Sequence, residues 1–378
     1  MPDHPGPSDR PDRPGQPDRP DRPGQPDRPD RSGQPERPDR TRQSGRPDLA
    51  AVRRIIDIAT GTWQAQALYA AVEFGLADHL AAGRTGTAAL AAATGADPDG
   101  LARLLRLLTA MGVLERTPDG HRLAPAGESL RADADPPMAD LVRVYGDEFH
   151  RAWGAVVPAL RDTGTTGFHH AHGTTLHDHL RDPEQSVRFQ RAMSAGNVFF
   201  QDVPDAFDFT DRHTVVDVAG GSGALLGTVL AAHPHLRGIL VERPHVVPLA
   251  AAHLDAVLGP GRHEVRAADV FEEVPGDGDV HLLSRVLQDW DDERCAVLLA
   301  RIRAALPPDG RLLIVERVVP DHGERMLPLL YDLHLLMAAG GRERDLDGYR
   351  TLLAKAGLRL EAVRELALET SLLIAAPE

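Results

Sequence analysis

The spacing of apolar and polar residues divides the chain into three segments. Residues 1–46 carry almost no apolar side chains, and a Pro-Asp-Arg unit recurs there every nine residues, from Pro11 to Pro38. Such a segment has too little apolar surface to offset the entropy lost on ordering, so we predict that it is disordered. Apolar residues at helical spacing follow over 47–200, and strand-like runs alternate with helical ones over 201–378. We expect domain boundaries at these positions.

The middle segment contains the pattern of a winged helix. "TAALAAATG" predicts a short helix, and Asp97 with Pro98 at the first helical position starts a second one, "LARLLRLLTAMG". "GVLERTPDGHRL" then predicts a hairpin that turns around Asp119 and Gly120. Helix, helix and hairpin in this order are typical of a winged helix-turn-helix.

A winged helix has two interpretations, a DNA-binding module or a scaffold for dimerisation. Its second helix offers only Arg103 and Arg106 for reading bases among many leucines, which favours the scaffold. Further apolar helices are expected at about 137–160 and 184–201.

Strand-like runs dominate the last segment: "TVVDVA", "GILVE", "HEVRAAD", "DVHLLS" and "RLLIVE". Helical stretches lie between most of them. We therefore predict an α/β fold with a doubly wound parallel sheet, whose ligand lies beyond the carboxyl ends of the strands. The last two runs, "LRLEAVREL" and "TSLLIAA", predict an antiparallel pair at the sheet edge.

The composition limits the classes of binding partner and the cellular compartment that we expect. The formal net charge of −14 disfavours binding to a phosphate backbone, so we expect no nucleic-acid partner. The single cysteine, Cys295, excludes an internal disulfide and is typical of a reducing compartment. The polar N-terminus lacks the pattern of a signal peptide, and no apolar run reaches the roughly 18 residues of a membrane span. We expect a cytoplasmic protein without a membrane partner.

The stretch "VVDVAGGSGALLG" carries the first candidate chemistry. An apolar strand ends in Asp217, and a loop with Gly220, Gly221 and Gly223 follows, so that backbone can approach a ligand closely. The dinucleotide spacing G-x-G-x-x-G/A fails at Leu226, and no lysine of a phosphate-binding loop follows. An acid followed by glycines suits a ligand with positive charge.

Acids end the next two strands as well. Glu242 follows the glycines by about twenty residues, where an acid accepts hydrogen bonds from both ribose hydroxyls. Asp269 follows the third strand, in reach of an adenine amino group. Three acids at adjacent strand ends, Asp217 included, predict a cationic nucleoside, S-adenosyl-L-methionine. The alternative is a flavodoxin-like sheet whose acids are ordinary loop residues.

The order of winged helix, helical linker, D-V-x-G-G-x-G, "LLSRVLQDWDDERC" and "GGRER" resembles a known family. It is similar to the small-molecule O-methyltransferases of the plant caffeic-acid type, and more so to bacterial relatives that tailor anthracyclines and other aromatic polyketides. The resemblance covers about residues 50–376. It implies a class I methyltransferase sheet, an N-terminal domain that forms a homodimer and closes part of the partner's acceptor site, and methyl transfer to a hydroxyl of an aromatic metabolite.

The resemblance also implies roles for single residues. The implied cofactor contacts are Gly220 and Gly221 at the methionine portion, Glu242 at the ribose, Asp269 and Val270 around the adenine, and Ser284 in the pocket wall. The implied acceptor contacts are Met193, His334 and Met337, although a methionine in the ordinary core is an equal alternative at both methionine positions. Ala219 replaces a glycine that is usual in the family, and we expect a negative φ there.

The main departure from the family is Gln288, which stands where the plant members have a histidine. A phenol with a pKa of about 10 carries little phenolate at pH 7, so a histidine base helps methyl transfer. Glutamine cannot take a proton. Glu316 and Glu343 match the carboxylates that orient the base in the plant enzymes, and here they could contact Gln288 or the acceptor. The adjacent Asp289 is expected to point elsewhere.

Three mechanisms stay open without a histidine. Orientation alone can drive the transfer, or the acceptor is acidic enough to be ionised already. In the third, the fold retains the cofactor but performs hydroxylation, decarboxylation or cyclisation on a similar substrate. The methylated atom, whether oxygen, nitrogen or carbon, stays open too.

Five histidines lie between His169 and His179, in "FHHAHGTTLHDH". Histidine and aspartate at such spacing could bind zinc or nickel. No cysteine and no long helix with i, i+4 pairing supports a site, so we expect no functional metal.

Overall fold

The structure, a computed structural model, describes residues 48–323 and 325–378. The segment predicted to be disordered, residues 1–46, lies outside the described residues. The chain divides into two units, Met1–Ile56 and Asp57–Glu378, and every strand that the structure describes belongs to the second.

The first part of the described chain is mainly helical. Its elements are α1 (Leu49–Glu73), α2 (Leu76–Ala81), α3 (Thr87–Thr94), α4 (Pro98–Ala110), β1 (Leu114–Thr117), β2 (Gly120–Leu123), α5 (Pro125–Glu128), α6 (Met138–Gly146), α7 (Glu148–Gly154), α8 (Val156–Arg161), α9 (Gly167–His172), α10 (Leu176–His179), α11 (Pro183–Ala195), a 3₁₀ helix (Val198–Asp202) and α12 (Val203–Ala206).

Strands and helices alternate in the second part. Its elements are β3 (Thr214–Val218), α13 (Ala224–Ala232), β4 (Arg237–Glu242), α14 (Val247–Leu258), β5 (His263–Ala267), β6 (Val280–Ser284), a 3₁₀ helix (Leu287–Asp289), α15 (Asp292–Ala305), β7 (Arg311–Glu316), β8 (Val318–Val319), α16 (Met326–Ala338), β9 (Arg344–Asp345), α17 (Leu346–Lys355), β10 (Leu358–Leu366) and β11 (Thr370–Pro377).

The winged helix forms as its sequence pattern predicts. The Asp97 side chain accepts hydrogen bonds from the backbone N–H groups of Asp99 and Gly100 at 3.0 and 2.9 Å, which satisfies two free donors at the start of α4. The helix buries leucines 101, 105 and 108, and β1 and β2 form the expected antiparallel hairpin. These leucines pack in one core with residues of α2 and α3.

The two long helices expected after the wing are shorter in the structure. The first is interrupted at Asp147, with φ −111° and ψ −82°, and at Ala155, with φ −100° and ψ 19°. It forms α6, α7 and α8 instead. The second ends at Ala195, before Gly196 and Asn197, and continues as the 3₁₀ helix.

The α/β prediction is confirmed by a seven-stranded sheet of order β10-β11-β7-β6-β3-β4-β5. Strands β3 to β7 are parallel, and the antiparallel pair β10–β11 lies at the edge beside β7, as predicted. Helices α13 and α14 contribute to the core on one face, and α15 and α17 to the core on the other, which includes Cys295. The order of strands reverses between β3 and β6, where doubly wound sheets bind their ligands. No helix in the described ranges is both long and apolar enough to cross a membrane.

Candidate active site

The glycine loop after β3 is shaped by close contacts that exclude side chains. A Cβ on Gly220 would lie 2.3 Å from the Asp217 carboxylate, and Gly221 has φ 58°. The Gly221 N–H donates to Glu242 Oε2 at 3.1 Å, which ties the loop to the end of β4. The loop therefore requires glycine at Gly220 for space and favours it at Gly221 for backbone conformation.

The expectation of a negative φ at Ala219 is wrong, because its φ is 58°. The chain turns sharply out of β3 at this residue, and its N–H still donates to the carbonyl of Val241 at 2.9 Å. The left-handed conformation costs a residue with a Cβ about 1–2 kcal/mol. The loop thus holds a strained residue at its entrance.

Asp217 is fully buried, and neither carboxyl oxygen makes a hydrogen bond within the described structure. Burial, and then the negative charge of Glu242, raise the pKa of Asp217 to about 7. An orphaned carboxyl at a cavity is costly unless a ligand supplies a donor or a positive charge.

The other predicted cofactor residues divide into two groups. Glu242 and Ser284 lie at the ends of β4 and β6 and line the same cavity as Asp217, and the buried Ser284 hydroxyl has no partner. Asp269 and Val270 do not line it. Asp269 is exposed and accepts from the Phe271 N–H at 2.9 Å, and Val270 packs against the core on the α15 side.

The cavity has a volume of about 220 Å³ and joins the glycine loop to the region of Gln288. Gln288 follows β6 in the short 3₁₀ helix and is 4% exposed. Its carbonyl accepts from the Arg342 N–H at 2.8 Å, and a Cβ on Gly341 would lie 2.1 Å from that oxygen. The "GGRER" stretch therefore packs directly on the backbone of Gln288.

A buried arginine fixes the loop that carries Gln288. Arg344 donates to the carbonyls of Leu287 and Trp290 at 2.8 Å each and pairs with Asp292, also at 2.8 Å. The two stretches that carried the resemblance, "QDWDDE" and "GGRER", are thus bound to each other.

Glu316 and Glu343 are buried behind Gln288 rather than in the cavity wall. Glu316 Oε1 accepts from the Leu287 N–H at 2.9 Å, so it holds the backbone of this loop rather than the glutamine side chain. Burial and the charge of Glu343 raise the pKa of Glu316 well above its ordinary value, and burial raises that of Glu343 to about 7 against the opposing charge of Arg317.

The expectation that Asp289 points elsewhere is wrong, because Asp289 lines the same cavity as Gln288. The tight 3₁₀ turn brings both consecutive side chains to one side. Burial raises the pKa of Asp289 to about 6, while the positive charge of Arg285 and the Gln288 amide oppose this rise. A carboxyl with this pKa can take up a proton near neutral pH.

Two of the three predicted acceptor residues lie at the cavity. Met193 and His334 line it, and Trp153 Nε1 donates to His334 Nδ1 at 3.2 Å. Burial, and then the charge of Arg285, lower the pKa of His334 to about 4, so its ring is neutral at pH 7. Met337 does not line the cavity: it is fully buried and packs against Gly167, which fits the alternative of an ordinary core methionine.

Several residues of the cavity carry no motif that would predict them from the sequence. Tyr145 from α6 and Tyr331 from α16 share a hydrogen bond of 3.0 Å between their hydroxyls, and Phe149 lies beside them. Asn197 and Arg285 complete this side. Only Arg285 had a signal in the sequence, since it directly follows a strand end; the others lie on helices whose packing no motif reveals.

The histidine cluster does not converge on a common point. His177 lies near Trp290 with ring centres 5.7 Å apart and ring planes tilted by 39°, and His172 Nε2 donates to the Glu148 carbonyl at 3.1 Å. No group of three metal-ligating residues comes together among residues 48–323 and 325–378.

Fold and site together define an enzyme of the class that binds a nucleoside cofactor at the switch point of a doubly wound sheet. An O-methyltransferase domain family matches residues 153–359, and an O-methyltransferase dimerisation domain family matches residues 56–131. The chain belongs to this O-methyltransferase family, and its cofactor is S-adenosyl-L-methionine. The unpaired oxygens of Asp217, the free Ser284 hydroxyl and the glycine cradle fit this cationic nucleoside.

Similar proteins span nearly the whole described chain. The 3-amino-4-hydroxybenzoate 4-O-methyltransferase of Streptomyces cremeus is 45% identical, over 86% of this chain and 90% of that protein. The phenazine-1-carboxylate N-methyltransferase of Pseudomonas aeruginosa is 37% identical, over 87% and 98%. Among solved structures, CalO1, a methyltransferase in calicheamicin biosynthesis in its SAH-bound form, is 33% identical with a TM-score of 0.79, covering 88% of this chain and all of that one.

Proposed function

We propose that this protein transfers a methyl group from S-adenosyl-L-methionine to a hydroxyl of an aromatic metabolite, without a histidine base. The observation that carries the proposal is the single cavity shared by Asp217, Glu242 and Ser284 at one end and by Gln288, Asp289 and His334 at the other. Two relatives whose names give aromatic hydroxyl acceptors support the substrate class. An N-methyltransferase among them makes nitrogen the competing acceptor atom.

In this proposal, the cofactor end of the cavity binds the cofactor and orients its methyl group. When bound, the cofactor supplies an electrophilic methyl group on a sulfonium. Glu242 would hold the ribose hydroxyls, Gly220 and Gly221 would admit the methionine portion, and the Asp217 carboxyl would offset the positive charge of the ligand. The positive charge favours the ionised form of Asp217, so we expect its pKa to fall on binding.

The acceptor proton goes to Asp289 in this proposal. As the acceptor oxygen forms its bond to the methyl carbon, the carbon–sulfur bond breaks and the sulfur keeps the electron pair, so the acceptor must lose a proton. Gln288 has no group that can take it. Asp289 lines the cavity with a pKa of about 6, and its carboxylate accepts the proton while the Gln288 amide holds the carboxylate in place.

We also propose that the protein acts as a homodimer. The dimerisation-domain match supports this, together with Ile58 and Trp63 on α1, which are 64% and 68% exposed. Apolar side chains this exposed on one helix are typical of a surface that a partner covers.

The test of the function is incubation with labelled S-adenosyl-L-methionine and a panel of aromatic hydroxyl compounds, with their amino analogues in parallel. The expected result is S-adenosylhomocysteine and a product 14 mass units heavier, about one methylene, from the hydroxyl compounds. Transfer to the amino analogues alone would make the protein an N-methyltransferase.

A non-methylating reaction on a similar substrate is the second candidate, and the observation that favours it is Gln288 in the position of the base. This candidate predicts that calorimetry detects cofactor binding and that incubation with any acceptor yields no S-adenosylhomocysteine. Loss of the acceptor in the same incubations, with a change in mass other than that of a methyl group, would support this candidate.

A further inference from the structure

His334 lies on α16 in the wall between two cavities. It lines the cavity that contains Gln288 and also a neighbouring cavity of about 260 Å³, whose lining includes Trp153. Trp153 does not line the first cavity. The edge of the His334 ring that contacts Trp153 therefore faces the second cavity, which leaves the other edge for the first.

The hydrogen bond between these two residues fixes the tautomer of His334. Trp153 Nε1 lies 3.2 Å from His334 Nδ1, and the two ring planes are parallel to within 6°. An indole N–H can only donate, so Nδ1 accepts and carries no proton. The proton of the neutral imidazole is then on Nε2, on the side of the ring away from Trp153.

The His334 ring stays neutral near pH 7. Burial, and then the charge of Arg285, lower the pKa of His334 to about 4. Nδ1 therefore takes up a proton only at a more acidic pH, where it could no longer accept from Trp153. Near neutral pH the free edge of His334 thus carries a hydrogen-bond donor and not a base.

This donor has no partner in the part of the chain that the structure describes. The bond from Trp153 is the only hydrogen bond that His334 makes there, and Nε2 is not among the buried polar atoms that are shut off from solvent. The rings of Tyr145, Phe149 and Tyr331 surround it, with ring centres 5.6, 4.4 and 6.1 Å from that of His334. An uncharged oxygen suits such surroundings, because these rings offer a charged group no counter-ion.

We propose that His334 Nε2–H donates a hydrogen bond to an uncharged carbonyl oxygen of the acceptor, and that Trp153 is the positioning residue that keeps the proton on Nε2. Tyr145, Phe149 and Tyr331 pack against the ring of the acceptor. The substrate class is then a hydroxylated aromatic carbonyl compound. This inference rests on the proposed function, because its ligand is the methyl acceptor, and it adds a group that the acceptor carries.

The first test compares 4-hydroxyacetophenone with 4-isopropenylphenol, in which a CH₂ group replaces the carbonyl oxygen without changing the planar shape. Binding is measured by calorimetry with S-adenosylhomocysteine present, so that no turnover occurs. The pH is about 6.5, where both phenols are mainly protonated. We expect the unaltered protein to prefer the ketone by about 2- to 12-fold, which is one neutral hydrogen bond expressed as affinity.

Two substitutions at His334 separate a donor from a packing contact. His334→Leu should abolish the preference for the ketone and leave the affinity for the hydrocarbon analogue within about threefold. His334→Gln should retain the preference, because its amide nitrogen can replace Nε2 as the donor. Equal binding of both compounds by the unaltered protein, a preference that survives in His334→Leu, or a preference lost in His334→Gln contradicts the inference.

His150→Leu is the matched control, because it removes an exposed histidine of α7 that lines neither cavity. It should keep the preference of the unaltered protein. Loss of the preference in this control would mean that the effect does not come from His334, which would also contradict the inference.

The second test reads the role of Trp153 from the tautomer itself. Nitrogen NMR of protein isotopically labelled at histidine distinguishes a protonated ring nitrogen from a bare one, and the signals lost in His334→Gln belong to His334. We expect a protonated Nε2 and a bare Nδ1. Trp153→Phe keeps an aromatic ring but removes the donor, so part of the protein should protonate Nδ1 instead, and the preference for the ketone should fall. A protonated Nδ1 in the unaltered protein, or an unchanged tautomer in Trp153→Phe, contradicts the positioning role.

Both tests work without turnover, so their failure is distinct from that of the proposed function. A preference for the ketone that depends on His334, without methyl transfer to any acceptor, supports the binding role and contradicts the methyltransferase proposal. Methyl transfer that is equally efficient with and without the carbonyl group supports the function and contradicts the binding role.

Discussion

The two ends of the cavity are formed by different kinds of structural element. The cofactor end consists of a glycine loop and the ends of neighbouring strands, with Asp217, Glu242 and Ser284 in fixed register on β3, β4 and β6. The acceptor end consists of side chains from α6, α7, α11 and α16 and from the loop after β6. Backbone geometry thus fixes the end that we propose for the cofactor, whereas side chains form the end that we propose for the acceptor.

The largest effect is expected from Asp289→Asn, which changes the acceptor end of the cavity and leaves the cofactor end intact. With a poorly acidic phenol as acceptor, we expect kcat to fall by at least about 100-fold, the usual contribution of a positioned base, with cofactor affinity unchanged. Asp289 must be ionised to accept a proton, so the rate of the unaltered protein should decline as the pH falls through about 6. The variant should lack this limb in its pH–rate profile.

Asp211→Asn is the matched control, because it removes an exposed carboxylate that does not line the cavity. It should keep both rate and profile. If the Asp289→Asn variant keeps the decline in rate near pH 6, a group other than Asp289 accepts the proton, and the role proposed for the acceptor end is wrong.

The cofactor end is tested next by Glu242→Ala. Losing hydrogen bonds to a charged carboxylate should weaken S-adenosyl-L-methionine binding by about 1.5–3 kcal/mol, measured by titration calorimetry. Part of this loss comes from the Gly221 N–H, which loses its acceptor when the carboxylate is removed. Acceptor affinity should stay the same.

Glu264→Ala provides the comparison, since Glu264 lies on the neighbouring β5 with its carboxylate at the surface, paired with Arg266. An unchanged cofactor affinity in Glu242→Ala would refute the assignment of the ribose contact.

The two ends also differ in how far the sequence predicts them. The glycines, Asp217 and Glu242 are found from strand ends and spacing, because parallel strands place consecutive carboxyl ends at one edge. Asp269 does not line the cavity, because the strand-end pattern gives its position but not the direction of the chain after it, and its adenine contact stays a prediction. Three features of the fold were predictable from local periodicity: its α/β class, the antiparallel pair at the sheet edge, and the winged helix.

Residues at the acceptor end escape such reasoning because tertiary packing decides them. Nothing in the spacing of α16 says that His334 faces the cavity while Met337, three residues on, packs under Gly167. The direction of Asp289 follows from a single 3₁₀ turn, and the φ of Ala219 from a tight exit out of β3. Neither leaves a trace in residue type.

Gln288 is the position where the smallest effect is expected. Its side chain is buried in the cavity wall, and its Oε1 makes no hydrogen bond within the described structure. If its amide only positions Asp289 and the acceptor, Gln288→Ala should cost about 2- to 12-fold in kcat/KM, the value of one neutral hydrogen bond. Gln201→Ala, an exposed glutamine in the 3₁₀ helix before α12, should cost nothing.

Gln288→His introduces the histidine that the resemblance to the plant enzymes implies at this position. Glu316 and Glu343 lie behind this position with raised pKa values; an imidazolium there would favour the ionised form of either carboxyl, and that charge would raise the pKa of the new histidine. We expect faster methylation of a poorly acidic phenol and a new limb in the pH–rate profile above that of Asp289. The rate gained should survive in the double variant with Asp289→Asn, because the imidazole then takes the proton. If Gln288→Ala instead abolishes methylation of an acceptor that is already ionised, the glutamine contacts the transition state itself, and the acceptor end depends on a hydrogen bond rather than on a base.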